Sequence, residues 1–144
     1  MSDPQEIAEF LAKVPLFNSL KKGQLARLAK VMVTEEYEAG QGIVVQGQSG
    51  VGLFIVVSGR AEAIHTRADG TRTVVNIFCS TDYFGELALL AEGPRTASVV
   101  AVEPTKCLVL TRWNFLGVLR RDADMAVAVL EELAWRFRIA LETL

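Results

Sequence analysis

The sequence predicts a mainly β fold, an antiparallel roll or sandwich with helices before and after it along the chain. Between residues 33 and 111, short β-branched runs alternate with turn residues, whereas the flanking segments have apolar residues at helical spacing. Seven or eight short strands at this spacing favour antiparallel pairing, because parallel strands need long crossovers. We expect one domain over 1–144, made of N-terminal helices (1–32), a β-roll (33–111) and C-terminal helices (112–144).

Two short helices are predicted before the strands. A proline suited to a first helical turn and an apolar stripe predict the first helix over residues 4–14. The second helix is expected from about Lys22, with its apolar stripe between Leu25 and Met32. We expect both helices to serve as packing elements rather than as a site.

Turn residues separate the predicted strands. Asp69-Gly70 is the firmest hairpin signal, and Ser58-Gly59 marks another turn. The strands are predicted over residues 34–38, 43–46, 53–57, 60–66, 72–78, 97–103 and 107–111.

Composition limits the class of protein and of ligand. With 144 residues, 51% of them hydrophobic, the chain can bury a core without disulfides or a metal. It has no apolar run long enough to cross a bilayer and no signal peptide at its start, so we expect a soluble, cytoplasmic protein. The net charge of −2 argues against nucleic acid as a partner, which requires a basic face. An anionic ligand would have to be held by local donors.

The residue types of catalytic and metal sites are sparse. His65 is the single histidine, whereas a metal enzyme on a β-roll would need a cluster of histidines with a carboxylate. We expect His65 to be a strand residue with its ring at the surface, and Cys79 and Cys107 to be reduced, partly buried thiols. The sequence contains no Gly-x-Ser-x-Gly motif. We therefore predict no enzyme, no catalytic residue, no metal site and no cofactor.

The segment from residue 84 to residue 99 has the features of an anion-binding turn. Gly85 lets the backbone approach a bound group closely, and the N–H groups at the start of the following Ala/Leu-rich turn make a small anion site. Arg95 adds a forked, permanently charged donor that suits a phosphate. Because Glu86 would repel that phosphate, its partner is a hydroxyl of the same ligand, as on a ribose. Phosphate and sugar hydroxyl together indicate a nucleotide.

This segment resembles the phosphate-binding cassette of the cyclic nucleotide-binding domains, whose pattern is Phe-Gly-Glu-Leu-Ala, a short loop and Pro-Arg-Thr/Ala-Ala-Ser/Thr-Val. The resemblance implies that Glu86 accepts a hydrogen bond from the ribose 2′-hydroxyl and that Arg95 pairs with the cyclic phosphate. It also implies backbone N–H contacts to the phosphate from around Gly85, Leu87, Ala88 and Ala97. The candidate ligand-binding residues are Phe84, Gly85, Glu86, Leu87, Ala88, Pro94, Arg95, Thr96 and Ala97.

The resemblance extends from about residue 16 to residue 141 and implies a jelly-roll-like β-roll with a short cassette helix and C-terminal hinge and lid helices. Two departures put loop conformations in question. Ser80-Thr81 stand where the family commonly has a glycine just before Asp82, and Val51-Gly52 stand where it commonly has an acidic residue or Ala. Two alternatives stay open for the cassette: a structural ion pair between its acid and its arginine, and a cassette that keeps its shape without ligand.

Thr96 bears on the choice of base. In the family a threonine after the arginine can reach a guanine, whereas Ala is common in cyclic AMP sites. The presence of Thr96 permits cGMP without requiring it, and the side chain would otherwise cap the turn. We narrowly favour cAMP over cGMP.

The last helix is predicted to follow Asp122, an N-cap candidate. Its apolar stripe is long enough to dock on the roll or on a second copy. On roughly the opposite face, Ala128, Trp135 and Ile139 would meet the ligand's base or a partner chain, unless the helix simply packs against the N-terminal helices. The stripe consists of Ala126, Leu130, Leu133, Phe137, Ala140 and Leu144.

The function predicted from these features is a binding switch. The resemblance gives a lid role over the base to Trp135, Arg136 or Phe137. The bound phosphate would fix the cassette, and the shift would pass through Leu89 and Leu90 to the C-terminal helices and so to a protein partner or a homodimer. The alternative is a β-roll interaction module without nucleotide. The chain ends about where the family's lid helix ends, as expected of a freestanding protein or a fragment of a larger one.

Overall fold

The computed structural model describes residues 3–48, 52–85 and 95–142. The chain divides into two compact units, one over Met32–Trp113 and the other made of the segment up to Val31 together with the segment from Asn114 onward. We call them the β unit and the helical unit. The prediction of one domain over 1–144 stays a prediction.

Four helices and eight strands lie within the described residues. The helices are α1 (Pro4–Leu11), α2 (Lys22–Ala29), α3 (Arg112–Arg121) and α4 (Ala123–Glu142). The strands are β1 (Val33–Tyr37), β2 (Gly42–Val44), β3 (Gly52–Ser58), β4 (Ala61–Thr66), β5 (Arg72–Phe78), β6 (Tyr83–Phe84), β7 (Ser98–Ala101) and β8 (Thr105–Thr111).

The strands form two antiparallel sheets of four, in the orders β1-β8-β3-β6 and β2-β7-β4-β5. This architecture is a β-roll with helices before and after it, so the predicted fold class is confirmed. Apolar residues from both sheets share one core, because alternate side chains of each strand point to the same face. This core consists of Val56, Ala61, Ala63, Phe78, Phe84, Val99 and Cys107.

The strand predictions differ from the structure mainly at their ends. The strands predicted over 43–46 and 97–103 are shorter, Gly42–Val44 and Ser98–Ala101. Strand β6 was not predicted, because its two residues are too few to show an alternating pattern. Strand β6 is paired with β3, in which Phe54 lies opposite Phe84.

Two other predictions need correction. The first helix ends at Leu11 instead of residue 14, because the N–H groups of Lys13 and Val14 bond to carbonyls three residues back and the chain tightens into turns. Cys79 is exposed, so the prediction of a partly buried thiol is wrong there. Cys107 is buried in the core, and this burial raises the pKa of its thiol to about 12.

A turn between β5 and β6 holds a β-branched residue in a left-handed conformation. Thr81 has φ +75°, at the place where the sequence departs from the glycine of the resembled family. The turn is tied to the middle of β3, since the N–H of Thr81 donates to the Val56 carbonyl and the N–H of Val56 donates to the Asp82 carbonyl, both at 2.9 Å. The backbone therefore keeps a glycine-like conformation with a side chain that disfavours it.

Replacing Thr81 by glycine should raise the free energy of unfolding by about 1 kcal/mol, because the left-handed conformation is then no longer strained. The measurement is urea denaturation of the variant and the wild type. Thr73→Gly, at an exposed position within β5, is the matched control and should lower stability. If both substitutions lower the free energy of unfolding equally, the backbone at Thr81 is not strained.

In the helical unit, the prediction that Asp122 caps the last helix is confirmed. Oδ1 of Asp122 accepts a hydrogen bond from the N–H of Met125 at 3.0 Å. The same carboxylate accepts from Nε2 of Gln24 at 3.1 and 3.2 Å and from Nη2 of Arg27 at 2.7 Å. One half-buried acid therefore joins α2 to the junction between α3 and α4, and its side chain is 11% exposed.

Helix α4 buries only part of its apolar surface. Met125 and Val129 are buried, whereas Leu130 and Phe137 are 61% and 66% exposed. The stripe is predicted to dock on the roll or on a second copy of the chain, and at Leu130 and Phe137 that choice stays open. Helical spacing identifies an apolar face but does not identify what covers it. None of the described helices is long and apolar enough to span a membrane.

Replacing Asp122 by alanine should lower stability at neutral pH and have little effect in acid. The bond from the Met125 N–H, followed by those from Gln24 and Arg27, lowers the pKa of Asp122 below its ordinary value. A lowered pKa contributes stability above the unfolded-state value of about 3.9, and this contribution is lost as the pH falls through the folded value. Urea unfolding of wild type and variant between about pH 3 and 7 measures the difference.

Asp124→Ala removes the same charge two residues further on and serves as the control. Its difference from wild type should stay small over this pH range. A constant difference between Asp122→Ala and wild type from neutral pH to acid would contradict the role assigned to the ionised carboxylate.

Candidate functional site

The candidate site lies where strands of the two sheets end close together. Gly85 follows β6 of one sheet, and Arg95 lies three residues before β7 of the other. Gly52, the first residue of β3, completes the group, because β6 is paired with β3. The fold therefore brings the glycine and the arginine of the predicted cassette into contact.

Arg95 is held at its backbone and at its side chain. Its N–H donates to the Gln48 carbonyl and its carbonyl accepts from the Gly47 N–H, both at 2.8 Å. Its Nη2 donates to the Gly52 carbonyl at 2.9 Å, and its Cζ lies 5.7 Å from the centre of the Phe54 ring. The guanidinium is thus half-buried and held in one orientation by these contacts.

Gly85 is required at its position for two reasons. Its φ of +87° is in the left-handed region that favours glycine. A Cβ added there would lie 2.6 Å from the Gly52 carbonyl oxygen and would also collide with Nη1 of Arg95. The absence of a side chain therefore makes room for the arginine.

An aromatic stack supports the guanidinium. The rings of Phe54 and Phe84 are parallel within 4° with their centres 5.1 Å apart, and Phe78 packs on Phe84 at 4.9 Å. Phe84, predicted as a site residue, is buried and acts here as part of the core. Its packing fixes the position of Phe54, over which the arginine lies.

The residues after Arg95 differ in exposure. Thr96 is exposed, and Ala97 is half-buried against the core of the β unit. His65, expected at the surface of a strand, lies in β4 and is half-buried, with Nδ1 3.1 Å from the Thr96 carbonyl oxygen.

Several predicted site residues lie outside the described residues, and so does the predicted cassette helix. The relation between Glu86 and Arg95 therefore stays open, including the structural ion pair. Those outside are Glu86, Leu87, Ala88 and Pro94, with Leu89 and Leu90 of the predicted relay.

The predicted lid residues lie on α4 in the helical unit. The side chains of Trp135 and Phe137 are 55% and 66% exposed. Arg136 forms an ion pair along the helix with Glu132, its Nε lying 3.4 Å from the carboxylate. The lid role of these residues stays a prediction.

Sequence reasoning missed Gly52 and Phe54 as parts of the arginine's support. In the sequence, Gly52 stands out only as a departure from the acidic residue or Ala of the resembled family. Its main-chain carbonyl accepts a hydrogen bond from Arg95. No sequence pattern indicates which main-chain carbonyl will accept a bond from a distant side chain. A stacked aromatic pair is likewise visible only once β3 and β6 are known to be neighbours.

The arrangement suits an anionic group. A charged, forked donor is fixed over an aromatic ring beside a left-handed glycine. Over 3–48, 52–85 and 95–142, no three His, Cys, Asp or Glu side chains are grouped so that they could hold a metal ion.

Comparison with known families agrees with this geometry. A sequence profile of the cyclic nucleotide-binding domain matches residues 34–122. The match covers more than half of the 144 residues, and the chain therefore belongs to the cyclic nucleotide-binding domain family.

Several solved structures of regulatory proteins are similar in fold to this chain. It is 28% identical to the N-terminal domain of a transcriptional regulator from Streptomyces coelicolor A3(2), with a TM-score of 0.84 over 93% of this chain and 94% of that one. It is 35% identical to the catabolite activator protein of Thermus thermophilus, with a TM-score of 0.80 over 90% of this chain and 61% of that one. It is 28% identical to the regulatory domain of Toxoplasma gondii PKA, solved with cAMP, with a TM-score of 0.80 over 92% of this chain and 50% of that one. The chain thus spans about three fifths and one half of the last two proteins.

Replacing Gly85 by alanine should destabilise the protein more than the same change at Gly40. Gly40 has almost the same φ, +86°, but a Cβ there would meet nothing within 4 Å. Both variants bear the left-handed strain of about 1–2 kcal/mol, and only Gly85→Ala adds the collision with Gly52 and Arg95, about 1–3 kcal/mol more.

The measurement is urea denaturation of both variants beside the wild type. Equal losses at Gly85 and Gly40 would mean that the close approach of Arg95 to Gly85 does not hold in solution.

Proposed function

We propose that this protein binds a cyclic nucleotide, cAMP in preference to cGMP, and that binding shifts its C-terminal helices to regulate a partner. The observation that carries the proposal is the placement of Arg95. Its guanidinium is held by the Gly52 carbonyl and the Phe54 ring beside left-handed Gly85. A cation fixed in this way recognises a phosphate without first being ordered.

The phosphate would be bound by charge and by backbone donors together. A guanidinium has five N–H donors, so a bond to Gly52 is compatible with a forked contact to a phosphate. The backbone N–H groups of Gly85, Leu87, Ala88 and Ala97 would add donors, as the family resemblance implies. With a net charge of −2 for the whole chain, attraction of an anion has to come from such local groups.

The sugar and the base would be bound by other residues. Glu86 would accept a hydrogen bond from the ribose 2′-hydroxyl and thereby exclude 2′-deoxy analogues. Thr96 is exposed beside Arg95, where its side chain can face a base. The exposed rings of Trp135 and Phe137 would supply the lid over that base.

Regulation requires a partner that distinguishes two states. A ligand shifts a conformational equilibrium only by its difference in affinity between the states. Leu130 and Phe137 on α4 are large apolar side chains that remain more than half exposed. A protein partner or a second copy of this chain, docked there, would convert movement of α4 into an output.

Replacing Arg95 by alanine should weaken cAMP binding by about 2–5 kcal/mol, because the phosphate loses its charged partner. The measurement is isothermal titration calorimetry of the purified protein with cAMP, cGMP and 5′-AMP. Wild type should prefer cAMP to cGMP and bind 5′-AMP weakly or not at all. Glu86→Ala should lose less affinity and should discriminate less against 2′-deoxy-cAMP.

Arg60→Ala is the matched control. Arg60 is a partly exposed arginine of the same β unit that pairs with Glu62 at 3.2 Å, so its loss removes the same charge without touching the site. If Arg95→Ala binds as tightly as Arg60→Ala, the site assignment is wrong.

A second candidate function has one observation in its favour. Nη2 of Arg95 donates to a main-chain carbonyl, so a group of the protein itself serves as a partner of this arginine. The protein would then be an interaction module that binds its partner through Trp135 and Ile139. Calorimetry decides between the two functions, since the module predicts no heat of binding with either cyclic nucleotide.

A further inference from the structure

The ladder between β4 and β7 ends one step before the segment that carries the candidate donors. Its last pair is Ile64 with Ser98. Beyond this pair the Thr96 carbonyl bonds to a side chain, since Nδ1 of His65 lies 3.1 Å from its oxygen. A carbonyl oxygen only accepts hydrogen bonds, so Nδ1 of His65 carries the proton. The histidine side chain thus adds one more hydrogen bond between β4 and the segment before β7, on the side of Arg95.

The strand end that carries His65 is itself tied down. His65 lies opposite Thr73 in the β4–β5 ladder. The side-chain amide of Gln46 grips the next residue, Thr66, donating to its carbonyl and accepting from its N–H, both at 2.8 Å. The main-chain N–H of Gln46 also donates to Oγ of Ser98 at 2.9 Å. Hydrogen bonds through Gln46 therefore join the ends of β4 and β7, and they hold the backbone next to His65 in place.

The bond to Thr96 also orients its neighbour. The Thr96 carbonyl and the Ala97 N–H belong to one peptide group, and no described peptide bond is cis. In a trans peptide the C=O and the N–H lie in one plane and point in opposite directions. A donor that fixes the carbonyl therefore fixes the direction of the Ala97 N–H, and it polarises the group so that this N–H becomes a stronger donor.

We propose that His65 is a positioning residue of the nucleotide site. By holding the Thr96 carbonyl, it aims the Ala97 N–H at one exocyclic oxygen of the cyclic phosphate. The inference rests on the proposed function, because it takes a cyclic phosphate as the ligand and Ala97 as one of its donors. His65 acts on the peptide group and does not itself touch the ligand.

Two substitutions separate the donor from the bulk of the ring. His65→Leu keeps a similar volume without a donor, and His65→Asn places an amide N–H about where Nδ1 stands. His65→Leu removes the hydrogen bond that positions the Thr96 peptide group and should therefore weaken cAMP binding about tenfold. His65→Asn should recover most of that affinity. If the leucine variant unfolds, His65→Gln, whose amide reaches the place of Nε2 instead, takes its role.

A thermodynamic cycle then tests which ligand atom is involved. The probes are cAMP and its two phosphorothioate diastereomers, each of which replaces a different exocyclic oxygen by sulfur, a poorer acceptor. The penalty of His65→Leu should be smaller with one diastereomer than with cAMP, because the oxygen that Ala97 faces is already gone. A general loosening of the fold would lower affinity for all three ligands equally.

The outcomes distinguish this inference from the proposed function. Wild type that binds no cyclic nucleotide overturns both. If wild type binds cAMP and Arg95→Ala does not, the proposed function stands. His65 then loses its assigned role if His65→Leu binds like wild type, if His65→Asn binds no better than His65→Leu, or if the penalty is the same for all three ligands.

Discussion

The hydrogen bond from Nη2 of Arg95 to the Gly52 carbonyl is the constraint on which the site depends. It joins the segment before β7 in one sheet to the first residue of β3 in the other. It therefore exists only when the two sheets face each other as a roll. A main-chain carbonyl has no rotamers, so the position of this acceptor is set by the backbone of β3 alone.

Two residues with a left-handed backbone conformation, Gly85 and Thr81, make this arrangement possible. Gly85 removes the Cβ that would occupy the place of the guanidinium. Thr81 keeps the turn before β6 in register with β3 despite its side chain. The first is a position that needs glycine, and the second shows that hydrogen bonds from a neighbouring strand can impose the same backbone on a less suitable residue.

The helical unit has a comparable organising group in Asp122. It caps α4 and accepts hydrogen bonds from two side chains of α2, so it joins α2 to the junction between α3 and α4. Beyond its first two turns α4 is largely exposed. Its exposed length carries large apolar side chains, among them Leu130, Trp135 and Phe137.

The sequence by itself determined the class of fold and the turns, because alternation, helical spacing and turn chemistry are local properties of the chain. It also determined Asp122 as a cap, since capping needs only residues within one helical turn. Only the tertiary structure decided that Gly52 and Phe54 support Arg95, that His65 holds Thr96, and that the apolar stripe through Leu130 and Phe137 lies open. The first two involve residues far apart in the chain that β-pairing makes neighbours. The third depends on what packs against the apolar face of α4, and the spacing of apolar residues in the sequence does not show this.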